Sequence, residues 1–207
     1  VLFDLDGTLF ESTHLLLTGY RHTVRTCLGL ETTEADWVHL LGRPLRDQMA
    51  AFSEELADEM VRIYRAWYAR NHNRLIRCYP GAAGVVERLS RSGLKLAAVT
   101  SKRGHFARRG LRFFDLEGFF EAVVGEEDVT HRKPHPEPLL KALAILKVAP
   151  LSSVMVGDSC DDIECAHAAG VTGIGALWGP YARERLKACA PDCLLEDIRE
   201  LPALLGV

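Results

Sequence analysis

The chain opens on Val1-Leu2-Phe3-Asp4-Leu5, an apolar run interrupted only by Asp4 and halted by Asp6-Gly7-Thr8. A short apolar run that ends in turn formers predicts the end of a buried strand. Leu94–Val99 is the next such run, apolar apart from Lys95 and followed by Thr100-Ser101-Lys102. Ala122–Val124, Val154–Val156 and Thr172–Ala176 predict three shorter strands. Between the strands the pattern changes to a helical one over Ala82–Arg91, His105–Phe113, Glu137–Leu146 and Asp161–Ala169. Strands that alternate with helices predict an α/β fold, a Rossmann-like parallel sheet with helices on both faces. Gly93 and Gly170 stand where helices are expected to end, each just before a strand.

From about Thr13 to Arg77 this rhythm stops. Leu15–Leu28, Thr33–Leu41, Leu45–Phe52 and Glu55–Asn71 all have the spacing of amphipathic helices. An all-helical stretch of this length between the first and second strands is too long for a simple crossover. It predicts an inserted helical cap over residues 13–77, with residues 1–12 and 78–207 forming the α/β core. The hinges are expected near Glu11–Thr13 and Arg77–Gly81, where Tyr79-Pro80-Gly81 marks the return to the core. Trp37, Trp67 and the helical leucines are expected to fill the interior of this insertion.

Composition narrows the class without changing the fold. The 207 residues are 48% hydrophobic and 26% charged, ordinary for a globular protein. A formal net charge of −3 gives no support for a nucleic-acid partner. No apolar run approaches the roughly 18 residues of a membrane span, and no signal peptide is visible. Val1 lies already inside an apolar segment, so the natural N-terminus is expected upstream. The six cysteines are scattered, which points to free thiols and a reducing, cytoplasmic compartment. Cys189 and Cys193 are four apart but have no second Cys/His pair to complete a metal site. His14, His22, His105, His131 and His135 offer no convincing metal pair either.

Ligands of open parallel sheets bind beyond the carboxyl ends of the strands. The predicted strands end in Asp4 and Asp6, in Thr100, and in Gly157-Asp158, and a loop after the third carries Lys133. Carboxylates, a hydroxyl and an ammonium gathered at one end of a sheet are costly unless something binds there. Taken singly each has an ordinary explanation. Asp-Gly makes turns, and Asp161-Asp162 suits the first turn of a helix.

Together, the segments FDLDGTLF, VTSK, RKPHPEP and VGDSCDDI resemble the four successive motifs of the haloacid dehalogenase-like hydrolase superfamily, in order and in spacing. The helical insertion resembles that superfamily's cap placed just after the first motif. HRKPHPEPLLKAL, PDCLLEDI and Leu41-Gly42-Arg43-Pro44-Leu45 bring the chain nearest to the phosphoglycolate phosphatase and inorganic pyrophosphatase branch.

The resemblance implies Mg²⁺-dependent hydrolysis of a small phosphate compound through an aspartyl phosphate. Asp4 is then the nucleophile. Asp6 protonates the leaving oxygen and later activates water; the spacing permits this division of labour and does not itself require it. Thr100 and Lys133 hold the phosphoryl oxygens. Asp4, Asp158 and the main-chain carbonyl of Asp6 hold the metal, a hard cation suited to oxygen ligands. Asp162 carries a metal-bound water or orients Lys133, ahead of its neighbour Asp161. Ser101 and Lys102 are lesser candidates, and Arg43 is a candidate substrate contact in the cap.

The implied partner is a small-molecule phosphate, with no nucleic acid and no membrane; monomer and homodimer stay equally open. Two alternatives remain: a sugar phosphomutase with the same covalent intermediate, and a phospho-accepting signalling domain. The latter has no need of a cap or of a second acid at Asp6. The cap contains no lysine, against a carbon–phosphorus hydrolase that forms a Schiff base.

Overall fold

The computed structural model describes residues 1–38, 40, 43–180 and 183–207. The chain divides into two compact units, one of Val1–Glu11 with Arg77–Val207 and one of Ser12–Ile76. In chain order come β1 (Leu2–Phe3), β2 (Phe10–Glu11), α1 (Thr13–Leu28), α2 (Ala35–Val38), α3 (Leu45–Ala50), α4 (Ala57–Leu75) and β3 (Arg77–Cys78). They are followed by α5 (Ala82–Arg91), β4 (Ala97–Val99), α6 (Gly104–Phe113), β5 (Ala122–Val124) and α7 (Glu137–Leu146). The last are β6 (Val154–Gly157), α8 (Cys160–Ala168), β7 (Thr172–Ala176), α9 (Arg183–Ala188), β8 (Cys193–Leu195) and α10 (Leu201–Leu204).

The first unit is built on a six-stranded parallel sheet in the order β5-β4-β1-β6-β7-β8. Leu2 lies in register with Ala97 on one side and Met155 on the other. These residues, with Val99, Ala122 and Val124, turn one face onto Leu139, Ala142, Leu143 and Leu146 of α7 and Cys165 and Ala166 of α8. Phe3, Ala98, Val123 and Val156 are the next positions along the same strands and so point to the opposite face. They are buried too, and Phe3 meets Phe120 edge-on at 6.3 Å. Burial on both faces is why these strands read as continuous apolar runs. Each fully buried Leu or Phe here contributes about 1.5–3 kcal/mol.

The sheet order fixes where the chemistry sits. From β4 the chain steps outward to β5, then returns past β4 and β1 to reach β6. The direction of growth reverses at β1, and such a reversal opens a crevice beyond the strand ends. Asp4, Thr100 and Asp158 each follow one of the three strands β1, β4 and β6 that border it.

The first strand is shorter than expected, because its end is consumed by a turn. The Leu5 carbonyl accepts the amides of Thr8 (3.3 Å), Leu9 (2.9 Å) and Phe10 (2.8 Å) instead of a neighbouring strand. β8 and the antiparallel β2–β3 pair, where Phe10 faces Cys78, were not foreseen. Cys160 and Cys189 are joined in a disulfide with Cα atoms 5.5 Å apart, which corrects the expectation of six free thiols. No described helix is long and apolar enough to cross a membrane.

The helical unit is held by an aromatic stack. Tyr20 stacks on Trp37 (4.5 Å) and on Tyr64 (4.9 Å), and Trp37 stacks on Phe52 (4.4 Å). Trp37 is fully buried, while Trp67 is only half-buried. A Cβ at Gly19 would come within 2.8 Å of the Tyr64 ring and 2.9 Å of the Trp67 ring, so glycine lets α1 and α4 approach. The helix expected from Thr33 starts at Ala35, because Thr33 instead directs its amide (2.7 Å) and hydroxyl (2.8 Å) at the Asp36 carboxylate. Leu41 and Gly42 lie outside the described residues.

Candidate active site

The turn after β1 sets the first two carboxylates. Asp4 still donates its amide to Val156 (2.9 Å) and is buried. Beyond it the chain folds back, with Gly7 at φ 89° donating to the Phe10 carbonyl at 2.8 Å. A Cβ on Gly7 would collide with the Asp158 carboxylate. Glycine is therefore required here twice over, by the backbone and by the approach of Asp158.

Lys133 is the centre of the cluster. Its ammonium donates to Asp4 Oδ1 (2.7 Å), Asp162 Oδ1 (2.5 Å) and the Val99 carbonyl (3.1 Å), using all three protons. Asp162 is held in turn by its position in the first turn of α8. Its Oδ2 accepts from the Ser159 amide (3.1 Å) and hydroxyl (2.6 Å), a capping box that fixes the carboxylate. A Cβ at Gly157 would collide with Asp162, so β6 and α8 can meet this closely only at glycine.

Asp158 accepts from the Thr8 hydroxyl at 3.2 Å, and Thr8 is anchored by Trp178 Nε1 donating to its carbonyl at 2.8 Å. Among the described residues no Lys or Arg forms an ion pair with Asp158. Oxygens of Asp4, Asp158 and Asp162 lie within 4.8 Å of one another. Burial pushes the Asp4 carboxyl up to about 7, against the pull of Lys133. Burial, then the charges of Asp4 and Asp162, hold Asp158 well above the ordinary carboxylate value. Burial works against the Lys133 charge, but Asp162 and Asp4 overcome it and raise the lysine further. Three buried carboxylates facing one ammonium leave excess negative charge of hard oxygen donors, the surroundings a divalent cation such as Mg²⁺ fits.

Asp6, close enough for its charge to act on Asp4, has a different cation for a partner. Its Oδ1 accepts from Lys102 Nζ at 2.7 Å, and the lysine side chain is only 9% exposed. Thr100 is buried, its amide donates to Val124 (3.0 Å), and its hydroxyl accepts the Lys102 amide (3.2 Å). Ser101 is exposed and lines a small recess with Thr100, Arg132 and Lys133. Arg43 belongs to the helical unit, where it is exposed and its carbonyl accepts from Gln48 Nε2 at 2.8 Å.

The structure thus gathers Asp4, Asp158, Asp162 and Lys133 in one buried network, with Thr100 at the end of the adjoining strand. Lys102, Thr8, Ser159 and Trp178 are the contributors that sequence reasoning passed over or ranked low. Thr8 and Lys102 sit inside the segments FDLDGTLF and VTSK, so their positions were visible while their partners were not.

Comparison with known proteins adds an independent line. A family model described as haloacid dehalogenase-like hydrolase matches residues 1–176. The chain is 39% identical over 207 residues to pyrophosphatase PpaX of Anoxybacillus flavithermus, covering 100% of this chain and 96% of that protein. Among solved structures, a haloacid dehalogenase-like family hydrolase from Streptococcus pneumoniae superposes with a TM-score of 0.88 at 26% identity, covering 99% of this chain and 96% of the other. A "predicted phosphoglycolate phosphatase" from Haemophilus somnus superposes with a TM-score of 0.91 over 99% and 96% of the two chains; at 24% identity it speaks for the fold alone.

Proposed function

The chain belongs to the haloacid dehalogenase-like hydrolase family and is a phosphatase, and from that premise we propose that it cleaves inorganic pyrophosphate, or else a small phosphomonoester resembling phosphoglycolate, through a phosphate ester on Asp4. Pyrophosphate comes first because the full-length relative at 39% identity carries that activity in its name. The observation that supports the mechanism is the Lys133 bridge between Asp4 and Asp162, with Asp158 in the same buried cluster.

Asp4 Oδ attacks phosphorus as the bond to the leaving oxygen breaks, and Asp6, entering this step in its protonated form, gives that oxygen its proton and becomes the carboxylate. Water then attacks the phosphorus of the ester, Asp6 takes its proton, and Asp4 is released as a carboxylate. Lys133 and Thr100 hold the phosphoryl oxygens, where charge must be stabilised in the transition state. Lys102 keeps the Asp6 carboxylate in place at 2.7 Å. Asp4, Asp158 and the Asp6 carbonyl would hold Mg²⁺, which when bound supplies the positive charge that keeps the carboxylates ionised and lets Asp4 approach an anionic phosphate. Residues 13–77, which the family resemblance casts as a cap, would select the leaving group, and Arg43 is the first residue there to vary. A cytoplasmic setting is part of the same proposal; the free Cys27, Cys78, Cys165 and Cys193 support it, and the Cys160–Cys189 disulfide weighs against it.

The test is phosphate release with Mg²⁺ or with chelator, for the parent chain and Asp4→Asn, over pyrophosphate, phosphoglycolate, sugar phosphates and nucleoside monophosphates. Metal-dependent release lost in the variant is expected, with the highest kcat/KM on pyrophosphate. No release from any of them by folded, Mg²⁺-loaded protein would overturn the reading and turn attention to phosphoryl transfer between sugar positions.

A further inference from the structure

The loop that carries Lys133 presents a second group of metal-binding side chains on its outer side. His131 and His135 flank the lysine by two residues on each side, and Glu137 opens α7. A ring nitrogen of each histidine and an oxygen of Glu137 lie within 4.8 Å of one another. Sequence spacing alone gave no reason to pair these histidines. The loop brings them together, with ring centroids 4.5 Å apart.

The carboxylate is held ready. Glu137 Oε1 accepts the Thr130 amide (2.7 Å), and Oε2 accepts the His131 amide (2.9 Å). His131 Nδ1 stands 2.9 Å from that same Oε2. The backbone beneath His135 is fixed too, since its amide donates to the Arg132 carbonyl (2.9 Å) and its carbonyl accepts from Cys165 Sγ (3.0 Å) of α8. Only ring rotations of the two exposed histidines are then needed to draw three donors around one ion.

We propose that His131, His135 and Glu137 form a site for a borderline transition-metal ion such as Zn²⁺ or Co²⁺, clasping the loop that carries Lys133. Two imidazoles and one carboxylate suit such ions, whereas Mg²⁺ prefers the all-oxygen set of Asp4, Asp158 and the Asp6 carbonyl. On binding, the ion takes the place of the hydrogen between His131 Nδ1 and Glu137 Oε2, and the neutral ring carries its one proton on Nε2 instead, so the step is a change of tautomer. His135 supplies the third protein ligand, and solvent fills what remains of a tetrahedral shell. The 3.2 Å bond from the Glu137 amide to His135 Nδ1 is given up, at little cost for an exposed first-turn amide.

The probe is Co²⁺, titrated into full-length protein under saturating Mg²⁺ and without substrate, and followed by its visible absorption. Parent, His131→Ala, His135→Ala and Asp4→Asn chains are compared. One ion per parent chain is expected, with affinity lowered at least about tenfold in each histidine variant and unchanged in Asp4→Asn. Zn²⁺ should raise the melting temperature of the parent and leave that of His131→Ala/His135→Ala unmoved. Melting of the histidine variants in chelator, equal to the parent, shows that they fold. Equal Co²⁺ affinity in parent and histidine variants, or loss that follows Asp4→Asn instead, would overturn the site. Because no substrate is present, this result stands apart from the success or failure of the phosphatase reading.

Discussion

Lys133 Nζ lies 2.5 Å from Asp162 Oδ1, with both side chains almost wholly withdrawn from solvent, at 4% and 1% exposure. The contact joins the loop before α7 to the first turn of α8 and aims the remaining ammonium protons at Asp4 and Val99. Lys133→Met is therefore expected to lower kcat by about a hundredfold to a thousandfold, the cost of losing one transition-state donor. Asp162→Asn can keep one oxygen for the capping box, but its amide NH2 then replaces the acceptor of Lys133; the lysine keeps Asp4 and Val99, so the loss should be smaller than for Lys133→Met. Steady-state kinetics on the best substrate checks the order; a Lys133→Met enzyme as fast as the parent would refute it.

In metal-free protein the Asp4 carboxyl is raised by burial to about 7, from an ordinary value of 3.8. A carboxyl raised in the folded state keeps its proton there while the unfolded chain has already lost it. Stability therefore falls as pH rises from about 4 through about 7 and levels off above, where both states are ionised. Asp4→Asn removes this penalty. In chelator the variant should melt above the parent at pH 8, by roughly 2–4 °C for each kcal/mol recovered, and the gap should close below pH 4. A parent that melts as high as the variant at pH 8 in chelator would contradict the burial argument.

Much of the fold could be read from the chain because the strands are buried on both faces and the helices end where their caps say. Ala122–Val124, Thr172–Ala176, Ala82–Arg91 and Glu137–Leu146 occupy the expected residues. What stayed hidden depends on distant partners. Phe10 meets Cys78 across the whole helical insertion in strands only two residues long, too short for any alternation to show. Asp6 and Lys102 are 96 residues apart, and nothing local marks the lysine as inward-pointing. The Lys133 contacts were half visible: an orienting role for Asp162 was one of two expectations, and the capping box explains why its carboxylate can reach both Ser159 and the lysine.

Gly157 leads β6 into the Asp158 loop, and a methyl there would overlap the Asp162 carboxylate. Gly157→Ala must push Asp162 away from Lys133 or shift the start of α8. Expected are a fall in kcat at least as large as that of Asp162→Asn and weaker Mg²⁺ binding by calorimetry, with the sheet intact by circular dichroism. Retention of both activity and metal affinity would mean that the α8 turn yields more easily than the packing implies.

The pairing of Cys160 with Cys189 ties the first residue of α8, one position beyond Ser159, to the end of α9. Closing a loop with a sequence separation of 29 should stabilise the fold by about 3–4 kcal/mol through the unfolded chain. Alkylation of denatured, unreduced protein is expected to label the four free cysteines, Cys27, Cys78, Cys165 and Cys193, and to label all six after reduction. Reduction, or Cys189→Ser, should then lower the melting temperature measurably. Because the bond borders the turn that holds Asp162, kcat should fall with it when α9 is needed to keep that turn in place. Six labelled cysteines without reductant would refute the bond and restore the expectation of free thiols throughout the chain.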